Sequence, residues 1–143
     1  MIFDSTYIDK KTEKELNALL GKSFGLRDRL RMGGVGSHRM VIDKASIGFT
    51  SILSKATGIV YGSMELRPTG ILLHFNVKNT NYSWAVPFYR LTVYQSDYFS
   101  IHANGEFISF RKDKNFIRNK AFLNKMVERR NTLVQSASMY TSA

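Results

Sequence analysis

The chain has 143 residues, 43% of them hydrophobic, with ten Phe, seven Tyr and one Trp. That is enough for one domain burying roughly 68–70% of its unfolded surface. It contains no cysteine, which excludes disulfide frameworks, Cys-ligated zinc, iron–sulfur clusters and thiol catalysis. Lys and Arg number 21 against 11 Asp and Glu, a net charge of +10. The excess runs through both halves, with 11 basic and 7 acidic side chains in residues 1–71 and 10 and 4 in residues 72–143. Such a field favours polyanions through association rate and weak affinity, and it also serves solubility alone. No apolar run approaches the ~18 residues of a membrane span. Met1-Ile2-Phe3-Asp4 lacks the basic start and apolar stretch of a signal peptide. The expectation is a soluble cytoplasmic protein.

Residues 1–37 read as a helical N-terminal extension. Thr12-Glu13-Lys14-Glu15 matches a capping box, Leu16, Leu19 and Leu20 share one helical face, and Gly21 offers a stop. Ser23 is placed to cap a second helix with Leu26 and Leu30 inward and Arg27, Arg29 and Arg31 outward. Gly33-Gly34-Val35-Gly36-Ser37 breaks the pattern and reads as a flexible linker, with a backbone anion nest as the alternative. Arg39-Met40-Val41-Ile42 suits a short strand; Ile47, Phe49, Ile52 and Leu53 fit neither period.

Strand signals dominate from Gly58. A strand through Tyr61, Met64 and Leu66 is followed by the turn Arg67-Pro68-Thr69-Gly70. Ile71, Leu73, Phe75 and Val77 then alternate with Leu72, His74, Asn76 and Lys78. Asn79-Thr80-Asn81 marks the next turn, and Trp84, Val86 and Phe88 share a face beyond it, with Pro87 at an edge or strand end. Leu91–Tyr94, Tyr98–Ala103 and Glu106–Arg111 complete the series, the last two joined by the hairpin signal Asn104-Gly105. This spacing predicts an antiparallel meander forming a barrel or sandwich. Residues 114–131 carry no Gly or Pro and follow Asp113, a helix N-cap. They predict one amphipathic helix with Phe116, Phe122, Leu123, Met126 and Val127 on its apolar face. The domain is thus expected over 38–134, and residues 135–143, small and polar, form a disordered tail.

Three stretches carry a family resemblance. Gly62-Ser63-Met64-Glu65-Leu66 with Gly70-Ile71-Leu72-Leu73, Trp84-Ala85-Val86-Pro87-Phe88-Tyr89-Arg90-Leu91, and Gly105–Phe110 leading into the helix resemble the first hairpin, the "W-x-I-P-Y-x-x-L" corner and the closing strand of bacterial pleckstrin-homology-like (PH-like) and GRAM-type domains. The resemblance covers about residues 58–131. It implies a mainly β protein with helices, a PH-like antiparallel barrel or sandwich closed by the C-terminal helix. It also implies a non-catalytic module that binds a protein or peptide segment or an anionic lipid surface. The phosphoinositide-binding members carry a Lys then Arg-x-Arg signature across the first hairpin; here only Arg67 stands there, with Glu65 beside it.

Chemical constellations are sparse. His74 and His102 fall opposite the apolar alternation and read as surface residues, and the spacing of His38, His74 and His102 suits no metal site. Asp97, Glu106 and Asp113 sit at turns or strand ends. No catalytic residue, metal ligand or cofactor is assigned. Gly105-x-Phe107-Ile108-x-Phe110 echoes the aromatic strand of RNA-recognition motifs, but Asn104 replaces the basic residue and core packing accounts for both rings. The candidate site is a polyanion-binding stripe of Lys114, Arg118, Lys125 and Arg129, opposite the apolar face of the predicted helix and about 22 Å long. Its alternative partner, on charge alone, is nucleic acid.

Overall fold

The computed structural model describes the backbone of residues 1–141 and the side chains of residues 1–136. Eight strands and five α-helices make an α+β protein. The strands are β1 (Ile2–Asp4), β2 (Met40–Ala45), β3 (Tyr61–Arg67), β4 (Gly70–Val77), β5 (Thr80–Pro87), β6 (Thr92–Gln95), β7 (Tyr98–Ala103) and β8 (Glu106–Arg111). The helices are α1 (Lys10–Leu20), α2 (Leu26–Arg31), α3 (Ile47–Leu53), α4 (Lys114–Arg118) and α5 (Lys120–Thr141). The strands form one antiparallel sheet in the order β1-β5-β4-β3-β2-β8-β7-β6.

Strand β2 belongs to both halves of the sheet. Its first residues, Met40 and Val41, pair with Gly62 and Tyr61 of β3; Ile42, Lys44 and Ala45 pair with Phe110, Ser109 and Ile108 of β8. The register shifts between Ile42 and Lys44, and an irregularity of this kind bends a strand and turns the sheet. The inner faces share one core. Met64, Leu66, Ile71, Leu73, Phe75, Trp84 and Val86 come from one half, and Phe99, Ile101, Ile108 and Phe110 from the other. Helix α3 fills the centre with Phe49, whose ring meets Trp84 edge-on at 5.1 Å and Phe75 at 6.1 Å.

The expected barrel closure is absent. β1 pairs only with β5 and β6 only with β7, so the sheet is open at both ends. The edge beside β5 is taken by residues from the N-terminal extension, Ile2 lying opposite Trp84.

That extension is not purely helical, and it is packed on the sheet. Leu16 and Leu20 of α1 bury against Leu72 and Ala85 on the outer face of β4 and β5. The α1 N-cap is Asp9, whose carboxylate accepts the Thr12 N–H at 2.7 Å, so Thr12 sits inside the helix. Helix α2 departs further from expectation. It follows Gly25, not Ser23, and its Leu26 and Leu30 are 75% and 76% exposed. Six residues make a short helix, and the core contact comes instead from the flanking Phe24 and Met32. The glycine cluster is ordered backbone. Gly33 and Gly34 adopt positive φ, Val35 is buried and accepts the Leu66 N–H at 2.7 Å, and the Ser37 N–H donates to Met64 at 2.8 Å. The segment lies along β3 as an extra edge, not as a hinge.

The helix predicted over 114–131 is two helices. Asp113 caps α4, accepting from the Asn115 and Phe116 amides. Asn119 then breaks the run: its buried amide bonds the His38 N–H at 2.7 Å and the His38 carbonyl at 2.9 Å, a tie across 81 positions. Helix α5 contributes Phe122, Leu123 and Met126 to the core. With no Gly or Pro to stop it, α5 continues through Gln135 and Ser136 to Thr141, beyond the expected end at 131 and into the expected tail. Residues 142–143 of that tail lie outside the described residues. No described helix is long and apolar enough to cross a membrane.

Candidate functional site

The four residues of the predicted stripe do not form one array. Lys114 and Arg118 are exposed on α4. Lys125 and Arg129, on α5, are used internally. The Lys125 Nζ donates to the carbonyls of Met32 at 2.5 Å and Gly34 at 3.1 Å, and the Arg129 guanidinium covers the Phe24 ring at 5.2 Å. They clamp the N-terminal extension to α5. The break at Asn119 is the physical reason: a stripe requires one continuous helical phase, and here it ends after Arg118.

What remains is a compact basic corner. Lys112, Lys114, Arg118 and Lys120 are exposed within nine residues, and the one acid among them, Asp113, is committed to capping α4. None of the four cations enters an ion pair among the described residues, where the pairs are Arg67–Glu65, His74–Glu65 and Arg111–Asp43. Ile117 stands in their midst with 67% of its surface exposed. By contrast Arg67, the lone basic residue of the first hairpin, is buried. Its guanidinium donates to Glu65 at 2.6 Å and to the Gly21 carbonyl at 3.0 Å, so it ties β3 to the end of α1.

A second polar region lies on the outer face of β3, β4 and β5, beyond the N-terminal start of α1. Lys78 and Asn79, both at positive φ, make the two-residue turn between β4 and β5, and this register sets His74 opposite Ser83. Ser63 of β3 faces His74 from the other side. The His74 Nδ1 lies 2.8 Å from the Ser83 hydroxyl, which donates to Ser5 at 2.7 Å. Its Nε2 lies 3.7 Å from Glu65. The neighbouring His74 ring, joined by Arg67, holds the Glu65 carboxyl below its usual range although burial pushes the other way. Arg39, Tyr61, Ser63, His74 and Asn81 line an adjoining cleft of about 450 Å³.

The serine–histidine–carboxylate order suggests nucleophilic chemistry, but Ser83 is fully buried and its oxygen cannot meet a substrate. The network therefore fixes the orientation of the His74 ring. Sequence reasoning placed His74 on the surface and missed Glu65 and Ser83 as its partners. The signals that could have found them are the two-residue turns: Lys78-Asn79 sets the β4–β5 register and so Ser83, and Pro68-Thr69 sets the β3–β4 register and so Glu65. Phe107 also departs from expectation. Phe110 is core, whereas Phe107 faces outward and stacks on His102 at 5.3 Å, with Tyr94 edge-on to His102 at 4.7 Å. Glu106 accepts from the Ser46 hydroxyl and from the Gly48 N–H at 3.1 Å, holding the start of α3. Among the described residues no three His, Asp or Glu side chains gather into a metal-binding group.

No family model, curated protein or solved structure matches the chain. The fold defines its class as an α+β protein with an open, eight-stranded antiparallel sheet.

Proposed function

We propose that the protein is a non-catalytic, PH-like binding module that docks on an anionic membrane surface through Lys112, Lys114, Ile117, Arg118 and Lys120. The observation that carries this reading is the corner itself: four exposed cations without ion-pair partners among the described residues, on either side of an isoleucine that is mostly in water. Each Lys or Arg close to an anionic leaflet contributes about 1 kcal/mol. Burying the Ile117 side chain among the lipid headgroups adds about 1.5 kcal/mol or more. The PH-like part of the reading is supported by two half-sheets sharing one core and by a C-terminal helix packed into it. Because Arg67 is consumed internally, recognition rests on charge density and not on one phosphoinositide headgroup. The reading puts the protein at the cytoplasmic leaflet, where anionic lipids gather.

The test is co-sedimentation with phosphatidylserine-rich and pure phosphatidylcholine vesicles. Binding is expected only to the former, falling as salt rises. Changing Lys112, Lys114, Arg118 and Lys120 together to Gln should weaken it more than tenfold, with thermal stability unchanged; Ile117→Ser should weaken it about tenfold or more. Unchanged vesicle binding by the quadruple variant would overturn the reading. So would tight binding of a single-stranded oligonucleotide that vesicles cannot displace.

A further inference from the structure

We propose that the cleft between Arg39 and His74 binds a small oxyanion, a carboxylate or phosphate monoester, carried on a compact apolar body. No residue of the basic corner lines this cleft.

Glu65 is the nearest acid to His74, but Arg67 sits 2.6 Å from it and neutralises it. Arg39 has no carboxylate partner among the described residues; its guanidinium carbon lies over the Tyr61 ring, 4.3 Å from the centroid. The side of the cleft where these residues meet is therefore positive. A guanidinium held on an aromatic face keeps its N–H fork free for a planar or tetrahedral oxyanion.

The donors converge. Ser63 lies directly opposite His74 on the neighbouring strand, which puts their Cβ atoms about 4.5–5.5 Å apart. The Asn81 side-chain oxygen accepts from Asn76 at 2.7 Å, so the Asn81 amide N–H groups are its unused end. The His74 ring is anchored at Nδ1. With Ser83 donating onward to Ser5, Nδ1 donates to Ser83, and Nε2 lies 3.7 Å from Glu65. A ring so held is oriented beside the cleft in advance, at little entropic cost on binding.

The polar row is also a departure from what this face can do. One register step away the same face is apolar, with Leu72 and Ala85 sealed under α1. At Ser83 the chain instead buries a hydroxyl completely, which costs stability unless both its bonds are made. Packing alone would favour a second Ala there, whereas orientation of His74 needs the hydroxyl. The cleft, at about 450 Å³, falls at the small end of ligand pockets. Ile8 and Tyr61 supply apolar wall for the body that carries the anion.

The test uses phenyl phosphate, benzoate and, as the cationic control, benzylamine, each titrated into the isotope-labelled full chain and followed by NMR. Phenyl phosphate, benzoate or both should bind saturably, moving the His74 ring and the Ser63 and Asn81 amides, while benzylamine should not. The preferred anion distinguishes phosphate esters from carboxylates. Arg39→Gln, at an exposed position that leaves the fold intact, should weaken binding about tenfold or more. Ser83→Ala should weaken it less and broaden the His74 signals. The quadruple Gln variant of the basic corner should bind as the wild type does, so failure of the membrane reading leaves this one standing. Three outcomes would overturn it: no saturation by either anion, wild-type affinity in Arg39→Gln, or loss of binding in the corner variant.

Discussion

The two half-sheets have similar inner faces and unlike outer ones. On the half built from β3, β4 and β5 the outer face is covered, by α1 over Leu72 and Ala85 and by β1 and Ser5 beside Ser83. On the half built from β6, β7 and β8 it is more open, with Tyr94 58% exposed and His102 and Phe107 stacked on each other in partial contact with water. Cover changes what a residue at an outward position can be. Beneath it a leucine becomes core, an arginine is buried against a glutamate, and a serine becomes an internal hydrogen-bond junction. Without it, aromatic side chains gain what they can from cross-strand contact, worth about 0.5–1.5 kcal/mol a pair.

The comparison breaks most visibly at Leu72. Leu72→Asp should cost several kcal/mol in urea unfolding, from lost burial plus a charge forced under α1. Phe107→Ala, at an outward position of the other half, should cost about 1 kcal/mol. Equal losses would mean that the two outer faces do not differ in cover.

How much of this could be read from the sequence follows the same division. The inward alternation Ile71, Leu73, Phe75 and Val77, the Asp113 cap and the Asn104-Gly105 turn are local signals, and each stands in the structure as expected. The outward residues were illegible, because their environment is supplied by chain far away. Ser83 is buried by Ser5, 78 positions earlier, and the helix break at Asn119 depends on the His38 backbone. Lys125 reads as a solvated lysine until the Met32 and Gly34 carbonyls are brought to it. The basic stripe failed for that reason, and the Glu65–His74–Ser83 row was invisible for the same one.

A smaller effect is expected where the cover fits most tightly. At Gly70 an added Cβ would stand 2.5 Å from the Val86 carbonyl oxygen, 2.5 Å from Leu20 and 2.9 Å from the Pro87 Cα. Leu20 can yield, but backbone of the paired strand cannot. Gly70→Ala should therefore destabilise by about 1–3 kcal/mol, whereas Gly105→Ala, in the open hairpin of the other half and facing no neighbour, should cost only the strain of its positive φ. A neutral Gly70→Ala would show that the β5 backbone at Val86 and Pro87 can move away from β4.

The smallest effect is read through pH, because a partly buried side chain on each half has its titration shifted by its surroundings. His102 is pushed down from its ordinary value of 6.5 by partial burial on the open half. Glu65 is pulled below its ordinary 4.5 by the neighbouring His74 ring and by Arg67 on the covered half. Both folded values lie below the unfolded ones, so both contributions are complete above the unfolded pKa and are lost as pH falls through the folded one. The windows differ: loss tied to His102 begins as pH drops below about 6.5, and loss tied to Glu65 only below about 4.5. His102→Gln should flatten the upper part of the stability–pH curve and leave the lower part unchanged. Glu65→Gln should flatten only the lower part, by about 1 kcal/mol or less, since water still reaches its carboxylate. If Glu65→Gln ran parallel to wild type from neutral pH down through that lower window, the carboxylate would be an unperturbed surface group. The approach of Glu65 to His74 and Arg67 would then be absent in solution.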